Sequence, residues 1–331
     1  MSNSARLFDR LKAGAYGLGR RSALARAMVA RLRRLRRATF GPSEDYVRVE
    51  LGALFAFLRD SQCTFHNCTT MATNPQALAV AFRYDIHVRD LAVSGVFVEA
   101  HRTQGIPASF YLFWDHSHLE RSYIGEFQKL ASRIATPSEI GLHDSPVDTY
   151  LIQSRFRFDR GAYWAWLNSP DAVKWIAALA TDPARLEEFD AAVFRNFVAR
   201  VHETQERFGP ILSVAAHGGD LRRALMPRLE ELGPEGVQTA RALFAAEWLT
   251  PGRVTAAGLK TCADAYRQTN GNLRQVTDGG GRIRQMTHGL QNGLRRGSAM
   301  QILLHPFTWD GARRDGELSD LFRVRQRDPK E

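Results

Sequence analysis

The chain has 331 residues, 44% of them hydrophobic and 10% aromatic, enough apolar surface for one large or two modest folded domains. With 24% charged residues and no apolar run near the roughly 20 residues a bilayer crossing needs, a transmembrane helix is excluded, as are collagen-like and wholly disordered classes. The formal charge of +10 sits in residues 1–40, which hold eleven of the 45 basic residues and one of the 35 acids; the rest carries 34 of each, so a polyanion-gripping core is not expected.

Residues 1–40 form a basic arm. Within it Ser22 to Ala38 reads as a helix, with Leu24, Met28, Leu32 and Leu35 on one stripe and Arg31, Arg33, Arg34, Arg36 and Arg37 around it. Such a helix suits an anionic membrane surface, engaged through residues 6–37, where each basic group adds about 1 kcal/mol. The competing reading packs the stripe on the folded body or a partner subunit. No apolar h-region interrupts the arginines, so a secretory signal is not expected, whereas an organellar transit peptide shares this composition. Nucleic-acid binding by the arm is disfavoured; it would show as affinity falling steeply with salt.

Gly41-Pro42-Ser43 breaks the pattern and opens a helical lead-in over residues 41–76, in which Val47, Leu51, Leu54, Phe55 and Leu58 recur at helical spacing. From residue 77 to 310 short apolar runs alternate with helical stretches: Leu78 to Tyr84, Ala108 to Trp114, Glu139 to Leu142, Ile211 to Ala216, a weaker Gly258 to Tyr266, Leu273 to Thr277 and Met300 to Leu304. Alternation of this kind predicts an α/β chain with a parallel sheet joined by crossovers, over a span that suits closure into a barrel. The connection over residues 150–209 is much longer than the others and reads as a helical insertion, either a lid over the strand ends or added packing on the flank. Residues 311–331 are a charged tail.

Five of these runs end in Asp or His: Asp85 and His87, His143, His217, Asp278 and His305. Parallel α/β architectures gather C-terminal strand ends on one face, so these groups are expected to meet there. Imidazoles with carboxylates in an open cleft suit a divalent ion of the zinc type, which takes about three protein ligands and leaves a position for water. Arg83 shares a side with Asp85 and His87 and could orient either Asp85 or Glu139. The chemistry this predicts is metal-assisted hydrolysis of an amide or ester.

Other signals carry less. His116 and His118 stand in the wrong strand order for a binuclear amidohydrolase, and Cys63, His66 and Cys68 fit no zinc spacing. Three scattered cysteines, Cys262 being the third, suggest a reducing, cytoplasmic setting. Gly279 to Gly281 lack the Lys-Ser/Thr of a phosphate loop, and Ser138, Ser145 and Ser213 lack a nucleophile elbow.

In F-R-Y-D-I-H, E-I-G-L-H, S-V-A-A-H-G, V-T-D-G-G-G-R-I and L-L-H-P-F-T-W, taken in order from Ala77 to Trp309, the sequence resembles the NodB-homology polysaccharide deacetylase superfamily, in a divergent branch associated with bacterial surface-polysaccharide loci. The resemblance implies a distorted (β/α) barrel of about seven parallel strands, a divalent metal, and removal of N-acetyl from an amino sugar in lipopolysaccharide or capsule biosynthesis. It also implies Asp85 as catalytic base, His143 as first metal histidine and His305 as the acid that protonates the leaving amine; Asp278 and Arg83 are expected beside them as further catalytic residues. Two positions depart from the family: His87 replaces its second acid, and Val147 stands where a second histidine is expected. His217 could supply the missing ligand, giving His87 or Asp85 with His143 and His217. The expected substrate is a glycan or sugar-lipid, reached in the cytoplasm or at the inner membrane face. The alternative is a catalytically silent glycan-binding or assembly protein on the same scaffold.

Overall fold

Alternation within the strands sorts their side chains onto two faces, and the computed structural model, which describes residues 44–73, 76–264, 273–278, 282–309 and 318, shows both faces buried. The strands are β1 (Thr64–His66), β2 (Ala79–Ile86), β3 (Ala108–Leu112), β4 (Glu139–Asp144), β5 (Ser213–Ala216), β6 (Thr261–Cys262), β7 (Leu273–Thr277) and β8 (Ala299–Leu304). Seven run in the order β6-β5-β4-β3-β2-β8-β7, all parallel, the cyclic order of a (β/α) barrel; among the described residues no ladder joins β6 to β7. The sheet is therefore a curled half-barrel. Its curl shows in Arg83 of β2, which reaches Asp264 beyond β6 at 3.0 Å, and in Gln301 of β8, which donates to the Ala263 carbonyl at 2.7 Å.

Outward residues such as Val80, Phe82, Tyr84 and Ile86 of β2, Phe110 and Leu112 of β3 and Ile302 and Leu304 of β8 join the main core under the helices. Inward residues are small or polar: Ala79, Ala81, Ala215, Ala263 and Ala299 surround Tyr111, with Arg83 and Asp85 above them on β2. Gly141 of β4 leaves the space this ring occupies, since a Cβ there would fall on the Tyr111 ring.

Several sequence-derived boundaries change. A short strand, β1, lies in the stretch read as a purely helical lead-in; it covers Ala79–Ala81 of β2, and β3 takes over from Phe82. The first long strand continues to Ile86, so Asp85 is within it, because its carboxylate is paired inside the barrel rather than solvated at a strand end. The candidate over residues 258–266 shrinks to Thr261–Cys262. The insertion is helical, with helices Arg160–Leu167, Pro170–Thr181 and Pro183–Phe208. Its longest helix starts at Pro183, capped by Asp182, and packs Val193, Phe197 and Val201 on the barrel flank. From that helix Arg200 reaches Asp115 at 3.0 Å and Asp144 at 2.6 Å, locking it to the ends of β3 and β4. The insertion thus packs on the flank, and its residue Arg160 extends to the rim.

No helix among the described residues is long and apolar enough to cross a membrane. The basic arm, Gly279 to Gly281 and the charged tail lie outside the described residues, apart from Leu318, whose amide donates to buried Glu50 at 2.6 Å.

Candidate active site

The rim at the C-terminal strand ends collects the predicted groups. His87 follows β2, His143 is in β4 and His217 follows β5; their ring centroids are 5.3, 5.2 and 5.1 Å apart, close to an equilateral triangle. One ligand atom from each lies within 4.8 Å of the others, which makes them a group able to hold a metal ion. Burial, with the other imidazoles of the cluster adding to it for His87 and His217, depresses the basicity of all three rings. Neutral rings offer lone pairs without first releasing a proton, and an all-imidazole set suits zinc-type ions better than magnesium or calcium.

Tautomers follow from fixed partners. A carbonyl only accepts, so His143 Nδ1–H donates to Ala215 O at 3.1 Å and leaves Nε2 free to ligate. At His217 the Gly219 amide donates to Nδ1 at 3.3 Å, which leaves the ring proton on Nε2. His217 therefore joins a ligand set by giving up that long contact, ligating through Nδ1 or, with the ring proton moved to Nδ1, through Nε2. Gly219 has φ +63, and a Cβ there would stand 2.8 Å from Asp148 Oδ2, so the turn that places His217 requires glycine.

Asp85 is the acid beside the triangle, its Oδ2 3.6 Å from His143 Nε2. Both of its oxygens are taken by the Arg83 fork, Nε to Oδ1 at 2.7 Å and Nη2 to Oδ2 at 2.9 Å. Burial pushes the Asp85 carboxyl up, but the Arg83 charge and His143 outweigh it and hold it below the usual carboxylate range. Of the two orientations open to Arg83, the structure takes Asp85; Glu139 instead accepts from Ser109 Oγ at 2.7 Å and from the Thr69 amide at 3.1 Å. Of the two open choices for the third ligand, Asp85 accepts from Arg83 at both oxygens, and His87 is the one that joins the group of three.

Across the rim, His305 follows β8. Its Nδ1–H donates to Asp278 Oδ1 at 2.7 Å, and Asp278 Oδ2 accepts from the His305 amide at 3.0 Å, Thr308 Oγ1 at 2.8 Å and Trp309 Nε1 at 3.2 Å. Burial opposes the charged ring, but the hydrogen bond and charge of Asp278, with Asp85 and Asp90, overcome it and raise His305 above the ordinary histidine value. Asp85, with Arg83, and His305, with Asp278, are thus a low-pKa carboxylate and a high-pKa imidazole at one rim.

Sequence reasoning missed four residues here. Asp264 is the second carboxylate on Arg83 and also accepts from the Ala216 amide at 2.7 Å; an Asp two residues beyond a weak strand was its only signal. Asp90, fully buried, accepts from the His87 amide at 2.9 Å and the Phe307 amide at 2.8 Å, tying the β2 and β8 loops together. Its carboxyl is pushed up to about 6 by burial. Phe113, read as strand, has its ring beside those of His87, His116, His143 and His217, in tilted or edge-on contacts. His116, set aside above for its place in the strand order, is buried with its ring 6.1 Å from His217, and its Nδ1 contacts Thr149 Oγ1 at 3.1 Å. His118 instead packs on Phe158, and the three cysteines are free thiols, Cys68 and Cys262 buried.

Comparison with protein-family models, curated proteins and solved structures finds no match for this chain.

Proposed function

We propose that this chain is a metal-dependent hydrolase that removes an acyl group, N-acetyl in the first instance, from an amino sugar of a surface polysaccharide. The observation that carries the reading is the convergence of three neutral imidazoles with an arginine-held carboxylate and an aspartate-held imidazole at one rim. The order of the strand-end motifs, similar to that of polysaccharide deacetylases, supports it. A zinc-type ion on His87, His143 and His217 would supply Lewis acidity towards the acyl carbonyl and an acidified water. Asp85, kept ionised by Arg83, accepts the proton of the attacking water at Oδ2. His305, its basicity raised by Asp278 and its ring fixed through Nδ1, donates from Nε2 to the leaving amine. Arg83 acts through Asp85 as a positioning residue. The substrate is a glycan or sugar-lipid, taken from the cytoplasmic side, with residues 6–37 holding the protein at an anionic surface.

Acetate release from N-acetylglucosamine oligosaccharides, followed with zinc added, tests this reading. The expected result is turnover that Asp85→Asn and His305→Gln each lower by about 10²–10⁴-fold while the glycan still binds. Glycan binding with no acetate released under any metal would make the chain a silent binding protein and overturn the enzymatic reading.

A further inference from the structure

β2 pairs with β3 through Asp85↔Tyr111 and Ile86↔Leu112, and β3 pairs with β4 through Tyr111↔Gly141 and Leu112↔Leu142. One position further on, the three strands present His87, Phe113 and His143, and the Phe113 amide donates to Ile86 O at 2.9 Å, which carries the ladder to that level. His87 and His143 thus come from strands that are not neighbours. Strands two apart lie about 9.6 Å from each other in a flat sheet, yet these two rings are 5.3 Å apart. What lies against both is the Phe113 ring, at centroid distances of 4.9 and 5.6 Å, and the same ring lies 4.4 Å from His217. Every imidazole of the triangle touches this one side chain, which is 1% exposed.

We infer that Phe113 is the positioning residue of the three-histidine group: it fills the strand-end place between two ligand strands with a ring that has no donor atom, orienting the imidazoles while keeping the ligand count at three. The inference rests on the reading of this group as a metal centre. A fourth nitrogen, oxygen or sulfur at that place would supply the extra ligand of a closed, structural set, whereas three ligands leave an exchangeable position. Contact with one common ring also limits the directions from which the three lone pairs can converge. Sequence pattern hides this role, because Phe113 continues the apolar run of β3.

Titration with Co²⁺, read by its visible absorption bands, tests the inference on the full chain, with thermal unfolding of the metal-free proteins run in parallel. Wild type is expected to take up one equivalent. Phe113→Leu, which keeps an apolar side chain and the fold, is expected to bind Co²⁺ about tenfold more weakly with shifted bands, in line with other changes behind metal ligands. Phe113→Ala is expected to lose more. If wild type binds Co²⁺ and Phe113→Leu binds it with the same affinity and spectrum, the inference fails while the metal reading stands. Weaker binding with an unchanged spectrum would assign Phe113 to packing alone and overturn it as well. If wild type binds no Co²⁺, the metal reading itself fails and the inference with it.

Discussion

Arg83 is the side chain on which the charge state of the site depends. It is 2% exposed and reaches Asp85 at 2.7 and 2.9 Å and Asp264 at 3.0 Å. Arg83→Met removes the cation but keeps the stem, leaving two buried carboxylates without it. Breaking a buried ion pair from one side costs about 3–5 kcal/mol, so the variant should be less stable by that amount at pH 7 in urea unfolding followed by tryptophan fluorescence. The sign with pH follows from Asp85. In wild type its folded pKa is lowered, so its contribution is present above the unfolded value of 3.8 and is lost only as pH falls through the lower folded value. In Arg83→Met burial acts without the opposing arginine, the folded pKa of Asp85 rises, and the penalty is relieved as the group protonates. The gap between wild type and variant should therefore shrink from pH 7 to pH 5, and Asp85→Asn in the variant background should recover part of the loss. A cost below about 1 kcal/mol, or a gap that does not change with pH, would refute the electrostatic reasoning.

His101 accepts from Tyr84 Oη through Nε2 at 2.7 Å, donates through Nδ1 to Ile106 O at 3.0 Å, and is pushed down to about 3 by burial. Its stabilising effect is complete above the unfolded value of 6.5 and falls away in acid, by about 2 kcal/mol between pH 8 and pH 5. His101→Gln should flatten the stability profile by that amount in paired urea titrations; identical profiles would contradict the assignment. For Asp278→Asn, NMR titration should show the His305 imidazole pKa falling. The pair stabilises wild type in full below the ordinary histidine value, and that contribution fades as pH rises through the raised folded value, a slope the variant should lack. An unmoved His305 titration would mean that Asp278 does not hold its proton.

The gathering of His217, Asp278 and His305 was legible in the sequence because the change from apolar to polar residues marks where those strands leave the sheet, and the same sign drew in His143, which the structure keeps inside β4. Asp85 was placed beyond its strand for the same reason. A polar residue inside a half-barrel looks like a strand end unless its partner is visible, and Arg83, two residues before it, is oriented by Asp264 from a distant part of the chain. β1 escaped because an exposed threonine and two half-buried residues make no apolar run; its pairing with Ala79–Ala81 is a tertiary fact. The choice between Asp85 and His87 as third ligand was open in sequence because both point inward from β2. In the structure the Arg83 guanidinium hydrogen-bonds both Asp85 oxygens, and it is His87 that joins His143 and His217 in a group able to hold a metal ion. Phe113 and Asp90 were invisible because an aromatic in a strand and an acid in a short helical turn have ordinary structural explanations, and only the register brings them to the histidines.

Diffraction from zinc-soaked crystals, collected on both sides of the zinc absorption edge, bears most directly on the claim that three strand ends build a metal centre. The account predicts one anomalous peak at about 2.0–2.1 Å from an imidazole nitrogen of each of His87, His143 and His217, absent in His143→Ala. A peak bound elsewhere, or none at saturating zinc, would contradict it.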